Sequence, residues 1–109
     1  MEIKDIPFEV FNLDNIVAEV HPGTTGKALW RTVKRGNVRI RIVEYSSGYL
    51  ADHWCEKGHA VFVLEGEFES ELKDGRKLTL SKGMCYLVAD NTEAHRSIAR
   101  DGAKLLIVD

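Results

Sequence analysis

Three histidines and one cysteine occupy positions from which they could share a metal ion. His53, Cys55 and His59 lie close together in one segment, and His95 lies in a later one. Residues two apart in a strand share a face, so His53 and Cys55 are expected to point the same way. Gly58 permits a turn before His59, which opens an apolar run. The spacing therefore predicts a metal site at the three histidines, with Cys55 as a fourth ligand or a close neighbour.

The chemistry of such a site depends on Cys55. Imidazole ligands suit zinc, copper, iron and nickel, whereas a thiolate favours zinc or copper. If Cys55 binds together with the three histidines, the site is closed and tetrahedral, which is typical of structural zinc. If Cys55 does not bind, open positions are left for water, dioxygen or a substrate, as in catalytic sites. A histidine-lined cavity without metal is the remaining alternative, and the sequence favours a divalent transition metal without identifying it.

The segments around these residues predict an all-β barrel or sandwich. Apolar or alternating runs are separated by turn residues at intervals of about ten residues, and helical periodicity is absent. Asp74-Gly75 lies between two alternating runs, which is typical of a tight hairpin. The predicted strands in this part of the chain are 38–45, 60–64, 68–72, 77–80, 84–88, 95–99 and 103–108.

The beginning of the chain is less regular and is interpreted as an arm of the same domain. A strand is predicted at 28–33, a loop at 21–26, and either a helical turn or a strand at 14–20. Exposed strand edges invite pairing, so the arm is expected to cover an edge of its own sheet or of a partner's. The chain is thus predicted to consist of an N-terminal arm, 1–37, and a barrel, 38–109.

Two blocks of the sequence resemble the paired motifs of the cupin superfamily. Residues 48–66 resemble the block that carries Gly, His-x-His, Glu and Gly, and residues 83–95 resemble the block that begins with Gly and ends in His. The ligand positions of these motifs fall on His53, Cys55, His59 and His95. Cys55 replaces the usual second histidine, and His59 replaces the usual glutamate. The resemblance implies a double-stranded β-helix, or jelly roll, that binds a metal and forms a homodimer.

More narrowly, the run Asp52-His53-Trp54-Cys55 is similar to the signature of the little-characterised DHCW-motif cupins. This resemblance covers the chain after Val38 and implies a small metal-dependent enzyme, of the oxygenase or isomerase type, that acts on a small organic molecule. A non-catalytic ligand-binding or sensor barrel, with a structural metal or none, is the alternative. The sequence identifies no catalytic residue, because His59 replaces the carboxylate that many cupins supply.

Composition and charge argue against several classes of partner. A chain of 109 residues fits one domain. Its net charge is -2 and no cluster of Lys or Arg exceeds a pair, so neither nucleic acid nor an anionic membrane is expected. Residues 1–5 are charged rather than basic and then apolar, so a cytoplasmic location and free thiols at Cys55 and Cys85 are predicted. A small molecule is the expected ligand.

Two arginines, Arg39 and Arg41, share one face of the predicted strand 38–45. Two guanidinium groups inside a barrel would suit a carboxylate or phosphate ligand. Alternation instead favours an arrangement in which the apolar residues between them face the core and the arginines face solvent.

Overall fold

The computed structural model describes residues 2–109, which form nine strands and one short 3-10 helix. The elements are the 3-10 helix Leu13–Asn15 and the strands β1 (Glu19–Pro22), β2 (Lys27–Arg35), β3 (Val38–Tyr45), β4 (Tyr49–Leu50), β5 (His59–Leu72), β6 (Lys77–Ser81), β7 (Cys85–Val88), β8 (His95–Ala99) and β9 (Ala103–Val108). The all-β prediction is confirmed. No helix within residues 2–109 has the length and apolar character needed to cross a bilayer.

The strands form a curled antiparallel sheet in the order β1-β2-β3-β9-β5-β8-β4, with β6 and β7 also paired to β5. The first part of β5 pairs with β7 and β9, and its last part pairs with β6 and β8. The register shifts between Val63 and Glu65, as at a β-bulge, and such a bulge bends its strand. Gly66 follows with a φ of 77°, and a Cβ there would lie 2.7 Å from the Gly102 carbonyl oxygen. The bend in β5 lets one sheet close over itself as a jelly roll.

The core lies between the two halves of this sheet. Val61 and Val63 of β5 pair with Ile107 and Leu105 of β9. Residues two apart on a strand share a face, so all four side chains point to the same side of the sheet, toward the core. Phe68, from the second half of β5, closes this core, and its exposed fraction is 2%. Full burial of one such side chain stabilises the fold by about 1.5–3 kcal/mol. The same alternation points His59, two residues before Val61, into the barrel.

Arg39 and Arg41 face the barrel interior, so the prediction that they face solvent is wrong. The physical reason is the N-terminal arm, which covers the outer face of β2 and β3. Ile6 and Phe11 of the arm line one pocket together with Val33 and Val38, which are 6% and 7% exposed, respectively. Because both faces of β3 are covered, its apolar alternation does not distinguish inside from outside.

The arm is held by a few specific contacts and continues into the sheet. Arg35 pairs with Glu9 at 3.2 Å and lies over the Phe11 ring at 4.7 Å. The segment 14–20, predicted as a helical turn or a strand, contains the end of the 3-10 helix and the beginning of β1. The predicted loop 21–26 begins later than expected, because its first two residues belong to β1. β1 pairs with β2, so this segment extends its own sheet.

Candidate metal centre and its cavity

Three of the four predicted ligands meet inside the barrel. One ligand atom from each of Cys55, His59 and His95 lies within 4.8 Å of the others. His59 is the first residue of β5 and His95 the first residue of β8. Cys55 lies opposite His95, joined to it by backbone hydrogen bonds of 2.7 and 3.0 Å. Residues paired in this way project their side chains from the same face, which places the thiol beside the imidazole.

His53 lies outside this cluster, at the cavity mouth. Its side chain is 73% exposed, and Nδ1 is 2.7 Å from Oδ1 of Asp52. The chain bends at Asp52 and His53, so the strand alternation expected to align His53 with Cys55 does not apply.

The loop that carries Cys55 is fixed at its end by Gly58. The Gly58 amide donates to Oδ1 of Asp90 at 2.6 Å. A Cβ at position 58 would lie 2.7 Å from the Asp90 backbone nitrogen, a distance that no side chain tolerates without displacement. Glycine is therefore required where this loop passes the segment between β7 and β8, and His59 enters β5 immediately afterwards.

In each histidine, the partner of Nδ1 determines that Nε2 is the nitrogen that faces the cluster. Nδ1 of His95 donates to the Glu93 carbonyl oxygen at 2.8 Å, which leaves the lone pair of the neutral ring on Nε2. Nδ1 of His59 lies 3.5 Å from Oδ2 of Asp109 and has no closer partner within residues 2–109. A carboxylate accepts rather than donates, so it favours a proton on this Nδ1 as well. The two Nε2 atoms lie only 2.9 Å apart, and when both rings are neutral each directs its lone pair toward the cluster.

This arrangement fits a divalent transition metal. Two lone pairs this close repel each other. A proton on Nε2 of His95, which the hydrogen bond with Cys55 favours by raising the pKa of His95, removes the repulsion, and a metal cation at the same place removes it as well. In tetrahedral zinc sites with Zn–N distances of about 2.0–2.1 Å, ligand nitrogens lie about 3.4 Å apart, so the rings need to separate by only about 0.5 Å. The hydrogen bond with His95 lowers the pKa of the Cys55 thiol, which favours the thiolate that a metal binds. Two imidazoles and a thiolate are a donor set for zinc or copper rather than for magnesium or calcium.

A buried carboxylate, Asp109, stands behind His59. Its backbone pairs with that of Arg39 through hydrogen bonds of 2.6 and 2.9 Å, which continue the β3–β9 ladder beyond β9. Arg39 also donates to both carboxylate oxygens, at 2.8 and 2.9 Å, and Arg41 donates to one of them at 3.1 Å. Burial raises the pKa of Asp109, but the hydrogen bond from Arg39 and the two positive charges outweigh it and hold the pKa at about 2.

Burial dominates the titration of His59, whose side chain is 6% exposed. Loss of hydration disfavours the imidazolium, and the neighbouring His95 disfavours it further, so the pKa of His59 falls to about 4 despite the nearby Asp109. His59 is therefore neutral at pH 7, which is the form that binds a metal.

The cluster opens into a cavity of about 290 Å³ inside the barrel. Its aromatic wall consists of Trp30, Tyr45, Tyr49 and Tyr86. The Tyr45 hydroxyl donates to Ser97 at 3.0 Å. The charged residues that line the cavity are Arg39, Arg41, Lys57 and Arg96. No Asp or Glu of the described chain is among the lining residues, because Asp109 is covered by its partners.

Sequence reasoning missed Asp109 and placed Arg39 and Arg41 on the wrong face. A usable signal was present for Asp109, because it continues the alternation of Leu105 and Ile107, which point inward. The sequence contained no comparable signal for the two arginines.

Comparison with known proteins identifies the fold. The sequence matches no protein-family model and no curated protein. Among solved structures, a predicted oxalate decarboxylase from Thermotoga maritima superposes with a TM-score of 0.77 at 14% identity, covering 92% of this chain and 96% of that one. Ectoine synthase from P. lautus gives a TM-score of 0.74 at 22% identity, with 93% and 76% covered.

A sugar phosphate isomerase of the cupin superfamily from Silicibacter pomeroyi gives a TM-score of 0.69 at 19% identity, covering 92% of this chain and 74% of that one. Sequence identities this low support a shared fold and not a shared activity. The chain therefore has the jelly-roll fold of the cupins, which confirms the predicted fold class.

Proposed function

We propose that this protein is a metal-dependent cupin enzyme, of the oxygenase or isomerase type, that acts on a small organic molecule. Cys55, His59 and His95 are the proposed ligands. The observation that carries the proposal is the convergence of two histidine Nε2 atoms and a thiol on one point of the cavity wall. The DHCW-motif group to which the residues around Cys55 are similar is the proposed family.

An open coordination position favours an enzyme over a structural metal site. Structural zinc sites have four protein ligands, whereas catalytic sites have three and leave one position for water or substrate. The cluster has three ligands, and His53, the fourth predicted ligand, is exposed and bonded to Asp52. The three residues line the cavity, so an open position on a bound metal would face it.

The residues of the chain have separate roles in this proposal. A bound metal would supply Lewis-acid chemistry at the open position. Asp109 orients His59 and the Glu93 carbonyl orients His95, as partners behind metal ligands generally do. The barrel wall excludes bulk water and limits the substrate to a small molecule. Enzymes named as an isomerase and a synthase share this fold, so it can support such chemistry.

A non-catalytic binding or sensor module is the second candidate, and one observation favours it. The carboxylate nearest the cluster is Asp109, which is ion-paired and has a pKa of about 2. A general base works best when its pKa lies near the working pH. Asp109 is therefore a poor general base, and the binding module needs none.

We also propose that the protein forms a homodimer through its arm. Phe8, Val10 and Val17 are 97%, 83% and 88% exposed, and Leu87 of β7 is 83% exposed. Exposed apolar side chains in such numbers are typical of interaction surfaces. A second copy is the proposed occupant. Light scattering should give the mass of a dimer for the wild type and of a monomer for a Phe8→Ser/Val10→Ser double variant.

Elemental analysis tests the metal site. The protein is purified without oxygen, chelators or affinity metal, and the metal content of wild type is compared with that of Cys55→Ser and His59→Ala. Cys85→Ser and His53→Ala are matched controls, because both residues are exposed. We expect near-stoichiometric metal in wild type and both controls, and loss in the two cluster variants. Equal metal content in all five proteins, or none after loading with zinc, iron, copper and nickel, would reject the proposal.

A further inference from the structure

Arg41 is a buried cation whose hydrogen bonds are incompletely satisfied by the protein. Its side chain is 6% exposed and lies over the Trp30 ring at 4.5 Å. Nη2 donates to Asp109 at 3.1 Å, while Nε is buried and has no partner within residues 2–109. A buried polar group without a partner is costly, and a buried charge costs more. Such a group in a cavity wall is a candidate for binding a ligand.

The charges around Arg41 do not balance within the protein. Arg39 donates to both oxygens of Asp109, so it already neutralises that carboxylate. Arg41 shares one of the same oxygens and is the surplus cation of the group. Loss of hydration lowers the pKa of Arg41, which is the direction expected of a buried charge that lacks full compensation. An arginine nevertheless stays protonated.

The rest of the cavity wall adds more positive than negative charge, because the Cys55 thiolate is the one anionic group among the described lining residues. Lys57 is exposed and lines the cavity, as does Arg39, whose side chain is 29% exposed. Arg96 is compensated by Glu71 at 3.0 Å. A cavity lined mainly by one sign of charge attracts small ions of the opposite sign. This cavity therefore selects for an anion, although the whole chain has a net charge of -2.

We propose that Arg41 binds the carboxylate of a small organic acid in this cavity. A carboxylate matches the planar guanidinium and can accept two parallel hydrogen bonds from it. Its single charge equals the single surplus charge beside Asp109, whereas a phosphate dianion exceeds it. The inference deepens the proposed function by naming the substrate class, and it rests on that function only for the reaction, because binding at Arg41 requires no metal.

The test is an NMR titration of the full chain at pH 7 and constant ionic strength, both metal-free and zinc-loaded. Acetate, propionate and glycolate are the carboxylate probes, acetamide is the neutral analogue of acetate, and inorganic phosphate is the competing anion. We expect saturable shifts of the Arg41 Nε–H and the Trp30 indole N–H with a carboxylate, no shift with acetamide, and weaker binding of phosphate.

Variants distinguish binding at Arg41 from non-specific attraction of anions to the positive charge of the protein. We expect Arg41→Gln to weaken carboxylate binding at least tenfold and Arg41→Lys to weaken it less. Arg100→Gln removes an arginine whose side chain is 78% exposed and outside this cavity, so it should leave the affinity unchanged. If Arg41→Gln does not fold, Arg41→Lys and the contrast between acetate and acetamide in wild type still test the proposal.

The outcomes distinguish this proposal from the proposed function. Carboxylate binding without any metal uptake supports the Arg41 site while the metal-dependent function fails. Metal uptake in wild type without saturable shifts from any carboxylate overturns the Arg41 site alone. Equal affinity of folded Arg41→Gln and wild type, or tighter binding of phosphate than of every carboxylate, also overturns it.

Discussion

The two sides of the cavity are held in different ways. On one side, Arg39 of β3, Asp109 directly after β9 and His59 of β5 lie side by side across three neighbouring strands. On the other side, Cys55 is carried by a loop that joins the sheet through one bridge, at His95. A ladder fixes the direction of every side chain along it, whereas a loop fixes a residue only where that residue is bonded. The ladder side therefore sets the charge of the cavity, and the loop side supplies the ligand that is easiest to displace.

Removal of the Asp109 carboxylate should have the largest effect on stability. Asp109→Ala leaves Arg39 and Arg41 without their shared partner, and loss of one member of a buried ion pair costs about 3–5 kcal/mol of unfolding free energy. Urea denaturation measures the difference. Asp101→Ala, at an exposed turn, is the control and should change stability by less than about 0.5 kcal/mol. Equal stability of the two variants would show that Asp109 does not stabilise the fold as the partner of Arg39 and Arg41.

A fall in pH should destabilise the fold in two steps, first through His59 and then through Asp109. His59 has a pKa of about 4 in the fold against 6.5 unfolded, so the unfolded chain binds more protons between these values, and the metal-free protein loses stability as pH falls through this interval. Asp109, with a pKa of about 2 against 3.8, adds a loss at lower pH. At about 1.4 kcal/mol per pKa unit, the His59 step amounts to at most about 3.5 kcal/mol.

His95 acts in the opposite direction, because its hydrogen bond with Cys55 raises its pKa, so its contribution is present at low pH and is lost as pH rises. Denaturation of wild type and His59→Gln from pH 4 to 7 isolates the His59 step. We expect the stability of His59→Gln to depend less steeply on pH than that of wild type. Parallel curves would show that His59 is not held neutral by burial.

Disturbance of the loop should affect the metal more than the fold. In Gly58→Ala the new methyl group meets the backbone of Asp90, and such overpacking costs about 1–3 kcal/mol. Because the loop is displaced together with Cys55, zinc affinity should fall at least tenfold. Competition with a chromogenic chelator gives the affinity. An unchanged affinity would mean that the loop position does not determine the site.

The smallest effect is expected at the loop residue that the structure leaves outside the cluster. His53→Ala removes an exposed imidazole bonded to Asp52, and zinc affinity should stay within about twofold of wild type, since exposed substitutions usually change free energies by no more than about 0.5 kcal/mol. A loss as large as that of His59→Ala would restore His53 as a ligand.

The strands and the loop that carries Cys55 also differ in how well the sequence predicts them. Strands after Val38 were predictable because apolar alternation and turn residues coincide there, and these strands carry His59 and His95 to the interior. The loop was not predictable, because the bend at Asp52 and His53 breaks the period of two on which the alignment with Cys55 depended. Loops obey local hydrogen bonds, such as that of Gly58 with Asp90, which join residues far apart in sequence.

The orientation of β3 shows a different obstacle. Alternation of apolar and polar residues identifies the inner face of a strand only when its other face is exposed to solvent. Here the arm covers the outer face, so Arg39 and Arg41 could be placed only by the ladder that pairs β3 with β9. The charge of the cavity is thus a property of the tertiary structure, although Asp109 could have been found by extending the alternation of β9 by one step.

The coordination of cobalt tests directly whether a thiolate from the loop and two histidines from the strands form one metal site. Cobalt(II) is loaded into metal-free wild type, Cys55→Ser and Cys85→Ser, and the near-ultraviolet spectrum is recorded. We expect a thiolate-to-cobalt charge-transfer band in wild type and Cys85→Ser and its loss in Cys55→Ser. Stoichiometric cobalt binding without that band in wild type, or a band that disappears only in Cys85→Ser, would contradict this expectation.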